Sequence, residues 1–180
     1  TTPEIIKPIP EAVAREAKAG GELTRAGSWF PLAPPQKPSA SRISSYTLSI
    51  PKLKIFDATA IIGGEDLEKS LIHYGGTALP GEYGKVVIFG HSVLPQFFNP
   101  KSYKAIFSTL HTLRPGDEIF LTFDGIEYKY KVFSLEVVDP ANISVLEQKY
   151  DDFYLALVTC TPPGTYWKRL IVNARIEKPQ

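Results

Sequence analysis

One cysteine, three histidines and a Lys-Arg pair carry most of the chemistry this chain can offer. Cys160 stands in "LALVTCTPPGTYWKRLIV", residues 155–172, where one apolar run ends and a second begins after Arg169. A thiol is a nucleophile only as thiolate, so it needs a base or a fixed positive charge nearby. His91, in "VVIFGHSVLP", is the best-placed imidazole. It follows the most apolar run directly, and Gly90 lets the backbone turn, so the ring stands at a strand end, where sites concentrate. His73 falls inside a predicted helix and His111 near the end of another, and both read as surface or helix-end residues. Arg169 opens the run after the cysteine loop. In the second arm of a hairpin it lies beside Cys160, where its charge can favour thiolate, hold a carbonyl or stabilise an oxyanion. Lys168 competes for that role with a point charge, whereas arginine presents a planar fork suited to backbone carbonyls. Singly, a turn histidine, a surface ion-pair arginine and a small core cysteine account for these residues. Together they form a pattern: apolar strand, Gly-His-Ser, apolar strand, Thr-Cys-Thr-Pro, loop, Lys-Arg. Histidine precedes cysteine, which is not the papain order, and "VTC" lacks the caspase signature.

Composition narrows the classes around that pattern. The 180 residues hold 20 Lys+Arg against 19 Asp+Glu, a net charge of +1. That balance makes no electrostatic case for nucleic acid or strong membrane-surface binding. A single cysteine rules out an internal disulfide and a thiolate zinc cage. No run approaches the roughly 18 apolar residues of a membrane span. The chain begins Thr1-Thr2-Pro3 and reads as an excised soluble piece.

The elements that must position these groups come from periodicity. Residues 1–45 hold seven of the 16 prolines and read as an N-terminal arm, with a short helix in "PEAVAREAKAGG" and an extended linker in "PLAPPQKPSASR". Trp29 and Phe30 are its only large aromatics. The arm is expected to be a tether that buries little, docking these rings on the barrel flank; the other reading is a plug over the site. A domain over 46–180 follows. Strands are expected at "YTLSI", "DATAII", "KVVIFG", "DEIFLTF", "IEYKYKVFSLEVV", "FYLALV" and "RLIVNARI", with short helices at "EDLEKSLIHYGG" and "KSYKAIFSTLHTL". Asp124-Gly125 is a strong hairpin signal. Seven or eight strands without regular βαβ alternation make a mostly β fold, a mostly antiparallel closed barrel. Asp151-Asp152 with Glu65-Asp66 are a candidate calcium site, but no calcium-loop spacing accompanies them and turn residues are the better reading.

"LVTC" with an arginine nine positions on, and "FGHS" upstream, resembles the sortases, cysteine transpeptidases of the bacterial cell surface. The resemblance covers roughly Tyr46 to Ile176 and includes "LSIPKL" and "RPGDEIFL". Leu157, Val158, Thr159 and Cys160 match the Thr-Leu-X-Thr-Cys pattern after its leading threonine, which Ala156 replaces. "CTPPG" is similar to the Cys-Thr-Pro-aromatic-Gly of pilin-type (class C) sortases, with Pro163 in place of the aromatic, while "YWKR" is similar to the housekeeping type. The Asp-Pro-aromatic motif of pilin-type lids is absent before Tyr46.

The resemblance implies an eight-stranded barrel whose groove ends at the thiol, at the outer face of the bacterial membrane. It implies that Cys160 attacks the Thr–Gly bond of an LPXTG-like sorting signal to form a thioester. An amine from a cell-wall precursor or a pilin lysine then resolves that thioester. His91 carries the proton, Arg169 binds the signal backbone and steadies the tetrahedral intermediates, and Thr159, Ser92 and Thr161 are the neighbouring substrate-binding candidates. No cofactor is required. With ordinary pKa values the thiolate–imidazolium pair is a minority at neutral pH. Two other readings are a cysteine endopeptidase that lets water resolve the thioester and a non-catalytic β-barrel binding module with a structural thiol.

Overall fold

The computed structural model describes residues 21–39 and 41–178. Eight strands close into a barrel: β1 Ser45–Ile50, β2 Ile55–Ile62, β3 Leu71–His73, β4 Gly84–Phe89, β5 Glu118–Phe123, β6 Ile126–Val138, β7 Phe153–Thr161 and β8 Lys168–Ile176. Their order around the barrel is β1-β2-β3-β4-β7-β8-β6-β5, with β5 returning to β1. The pairs β2–β3 and β4–β7 are parallel, and the others are antiparallel. The β5–β6 hairpin turns at Asp124 and Gly125, both at positive φ (51° and 77°), the backbone a tight two-residue turn requires.

Period-two alternation sorts the continuous apolar strands onto two cores. Val86 and Ile88 of β4, Leu155 and Leu157 of β7, and Leu170 and Val172 of β8 fill the barrel interior. Val87 and Phe89, Ala156, Val158 and Cys160, and Ile171 point to the other face and join a second buried cluster. The thiol therefore lies outside the barrel core, on the outer face of the β4-β7-β8 sheet.

Two expected helices are absent. Over 65–76 the chain makes a turn and then β3. Asp66 Oδ1 accepts from Glu68 N, and Lys69 N donates to Asp66 O, so Asp66 closes a local turn rather than starting a helix. Leu71–His73 then pairs between β2 and β4. Over 101–113 the backbone bonds run from residue i to i+3 at Ser102–Ala105, Ala105–Ser108, Phe107–Leu110 and Leu110–Leu113, giving tight turns and one 3₁₀ segment, Leu110–Thr112. The short helix expected from Pro10 lies outside the described residues.

His73, expected at the surface of a helix, is fully buried in β3. Thr77 Oγ1 donates to Tyr74 O, so it accepts from His73 Nε2–H, leaving Nδ1 to accept from Tyr46 O–H at 2.6 Å. Neutral imidazole satisfies every partner, and burial pushes its pKa down to about 4. The folded value lies below the ordinary one of about 6.5, so the neutral ring's contribution is complete above pH 6.5 and is lost as pH falls toward 4. Denaturant melts should lose on the order of 3 kcal/mol across that window, and His73→Gln should flatten the loss. A parent stability that stays level from pH 6.5 to 4 removes His73 from this role.

Candidate functional site

Cys160 is the penultimate residue of β7, and the β7–β8 register sets it directly across from Arg169. Alternation turns both side chains to the outer face, beside Val158 and Ile171. His91 follows β4, the strand parallel to β7 on its other side. Three bonds tie its loop to the thiol's strand: Gly90 N donates to Val158 O, Thr159 Oγ1 donates to Gly90 O at 2.8 Å, and Ser92 Oγ donates to Cys160 O at 3.1 Å. The loop is held from behind by Phe107 N, which donates to His91 O, and by Val93 N, which donates to Ser108 Oγ. A Cβ on Gly90 would run into the Phe107 ring, so only glycine fits this crossing. Thr159 and Ser92, the neighbouring substrate-binding candidates, thus direct their hydroxyls to backbone carbonyls, while Thr161 is half-buried at the end of β7.

His91 is buried, and burial holds its pKa below the ordinary imidazole value, against a smaller opposing effect of the Ser92 carbonyl. That carbonyl lies 3.1 Å from Nδ1, so Nδ1 carries the proton and Nε2 is left as the acceptor. Tyr166 O–H reaches Nε2 at 3.4 Å.

Arg169 is fully buried. Its Nε donates to Trp29 O at 2.9 Å, and one terminal nitrogen donates to Tyr166 O at 3.0 Å and Lys168 O at 3.2 Å. Among the described residues the other terminal nitrogen has no hydrogen-bond partner. Among the described residues no carboxylate pairs with it. The guanidinium instead lies near the Trp29 and Phe30 rings, 5.6 and 5.9 Å from their centroids. Lys168 turns away, as alternation requires, and pairs with Asp139 Oδ2 at 3.1 Å.

Over its described part the arm docks on the barrel through the two rings expected to do so. Trp29 and Phe30 are 0% and 2% exposed; Trp29 stacks on Phe89 with centroids 5.2 Å apart, and its Nε1 donates to Leu23 O. Both rings belong to the outer cluster that contains Cys160, itself 2% exposed. Glu65 fastens the arm: its carboxylate accepts from Gly27 N and Gln36 Nε2. Asp151 pairs with Lys149, and Asp152 accepts from Phe153 N. Among the described residues no three His, Cys, Asp or Glu side chains gather as a metal site. Tyr166, which joins His91 to Arg169, was not singled out by sequence; its only signal there was its place in "YWKR", three residues before Arg169.

Fold and site together define a closed β-barrel with one buried thiol set against an arginine and an imidazole loop. The sortase-domain family model matches residues 48–177. Sortase D of Bacillus subtilis is 28% identical over 146 residues, 77% of this chain and 66% of that protein. The chain thus spans just under two thirds of that relative's length. Among solved structures, the Clostridium perfringens Sortase D5 transpeptidase superposes with a TM-score of 0.64 at 28% identity, covering 75% of this chain and 79% of that one. A lid mutant of Corynebacterium diphtheriae Sortase A superposes with a TM-score of 0.65 at 26% identity, covering 94% of this chain and 92% of that one. This chain belongs to the sortase family.

Proposed function

We propose that this protein is a cysteine transpeptidase that cleaves an LPXTG-like sorting signal and passes its acyl part to an amine. The observation that carries the reading is the facing of Cys160 and Arg169 across β7–β8, with the His91 loop bonded to the thiol's own strand. Cys160 gives its thiol proton to His91 Nε2, and the resulting thiolate attacks the carbonyl carbon of the Thr–Gly bond. The C–S bond forms, the C–N bond breaks, and the leaving amine takes a proton from His91. Nδ1–H is committed to the Ser92 carbonyl, so Nε2 is the nitrogen free for this transfer. An incoming amine, from a cell-wall precursor or a pilin lysine, then attacks the thioester and gives its proton back to His91, and the C–S bond breaks to restore the thiolate. Arg169 holds substrate carbonyl oxygens as they gain charge. The reaction needs no cofactor. It runs at the outer face of the bacterial membrane, where sorting-signal proteins and amine acceptors meet. Among the described residues no helix is long and apolar enough to cross a membrane.

Iodoacetamide alkylation and a fluorogenic LPXTG peptide test the reading. Cys160 should alkylate, and its rate should fall in His91→Ala. Peptide cleavage should vanish in Cys160→Ala and fall by about 10²–10⁴ in His91→Ala. An added amine should divert the product from acid to amide; a product that stays acid whatever the amine makes the protein an endopeptidase. A thiol that stays inert in folded protein freed of its arm returns the chain to the class of non-catalytic binding modules.

A further inference from the structure

The mechanism just proposed gives no role to the Tyr166 hydroxyl, which lies against His91. We propose that Tyr166 is a positioning residue that orients His91 through its side chain and Arg169 through its backbone. The inference rests on the transpeptidase reading for its consequence in catalysis, but the contacts stand independently.

The geometry is directional. Ser92 O fixes the His91 proton on Nδ1, so Nε2 presents a lone pair, and the Tyr166 hydroxyl 3.4 Å away is the donor that meets it. The two rings lie 6.1 Å apart at 58°, a tilted contact that sets the imidazole plane. The carbonyl of the same residue accepts from Arg169 at 3.0 Å. One loop residue therefore holds the proton carrier and the carbonyl-binding cation in a common frame.

The loop is itself stiffened. Thr165 donates to Pro162 O through both its backbone N–H and its hydroxyl, and a Cβ on Gly164 would sit 3.2 Å from Leu94, on the segment that follows His91. Trp167, the next residue, is by contrast 38% exposed. Burial, and then the charge of Cys160, raise the phenol pKa, so the hydroxyl stays protonated and able to donate.

A hydroxyl that donates to Nε2 stabilises neutral imidazole, because a phenolic oxygen is a better donor than acceptor. It must also yield when Nε2 takes up the proton it will pass to the leaving amine. Tyr166→Phe removes the hydroxyl alone and keeps the ring and the carbonyl on Arg169. In the full chain, the His91 ring followed by nitrogen NMR should titrate at higher pH in Tyr166→Phe than in the parent. The acid limb of kcat/KM for the LPXTG peptide should shift the same way. Turnover should fall by about tenfold with KM little changed, because the hydroxyl touches the imidazole and not the substrate. Melting should not change. Identical His91 titrations in parent and Tyr166→Phe overturn the proposal whether or not the peptide is cleaved. A shifted titration in a chain whose parent form cleaves no peptide upholds the positioning contact while sinking the transpeptidase reading.

Discussion

Arg169→Ala should lower acyl transfer by about 10²–10³, the usual cost of losing one oxyanion-type donor, and Arg169→Lys should recover little of it. The side chain is fully buried, has no ion-pair partner among the described residues, and directs its bonded nitrogens entirely to backbone carbonyls: those of Trp29, Tyr166 and Lys168. A desolvated guanidinium without a carboxylate is costly to keep, so its place is poorly explained by stability alone. Its unpartnered terminal nitrogen offers a further donor for an oxygen that arrives with substrate. A lysine keeps the charge but not the planar fork that bridges several carbonyls at once. Lys168→Ala is the internal control. That residue forms a half-exposed pair with Asp139, worth at most about 1 kcal/mol, and its side chain points away from the thiol. The measurement is the transfer rate on the LPXTG peptide, with melting curves to show that each variant folds. A mild Arg169→Ala beside a crippled Lys168→Ala removes Arg169 from the site.

Trp29→Ala should raise the Cys160 alkylation rate by on the order of a hundredfold, with peptide cleavage following it. Trp29 and Phe30 cover the sheet face on which Cys160 lies, and the Trp29 carbonyl occupies Nε of Arg169, the residue the mechanism assigns to substrate carbonyls. In that arrangement the arm and the sorting signal compete for one surface. Truncating a buried tryptophan to alanine typically removes about 3–5 kcal/mol of packing. If roughly 3 kcal/mol of that holds the arm closed, the open population rises about a hundredfold, and alkylation of a covered thiol follows that population. Deleting residues 1–44 should act in the same direction. A tether predicts the opposite result, an alkylation rate equal to the parent's in both variants. Equal rates with unchanged melting restore the tether.

Much of this molecule is legible in a chain of residues because the relevant forces are local. Strand β6 alternates Tyr130 and Val132 with Lys129 and Lys131, and the structure buries the first pair. Asp124-Gly125 turns where only such a pair turns easily. A thiol ending one apolar strand and an arginine opening the next must face each other if the strands form a hairpin, and they do.

The remainder rests on contacts between residues far apart in sequence. Residues 101–113 carry apolar side chains at helical spacing, and Ala105, Ile106, Leu110 and Leu113 are indeed buried. Periodicity reports burial, however, not which partner takes the hydrogen bonds, and here the Phe107 backbone N–H and the Ser108 hydroxyl spend theirs on the His91 loop. Residues 71–73 form a strand because β2 and β4 lie on either side, a pairing that local propensity cannot register. Trp29 and Phe30 read as stray aromatics in a proline-rich arm until Phe89 supplies a stacking surface and Glu65 an anchor. Tyr166 acquires its partners only when the loop after β7 folds back over His91. Residue types and their spacing determine which groups can react; closing the barrel determines which of them meet and what lies over them, because a surface shared by several strands exists only once distant segments are paired.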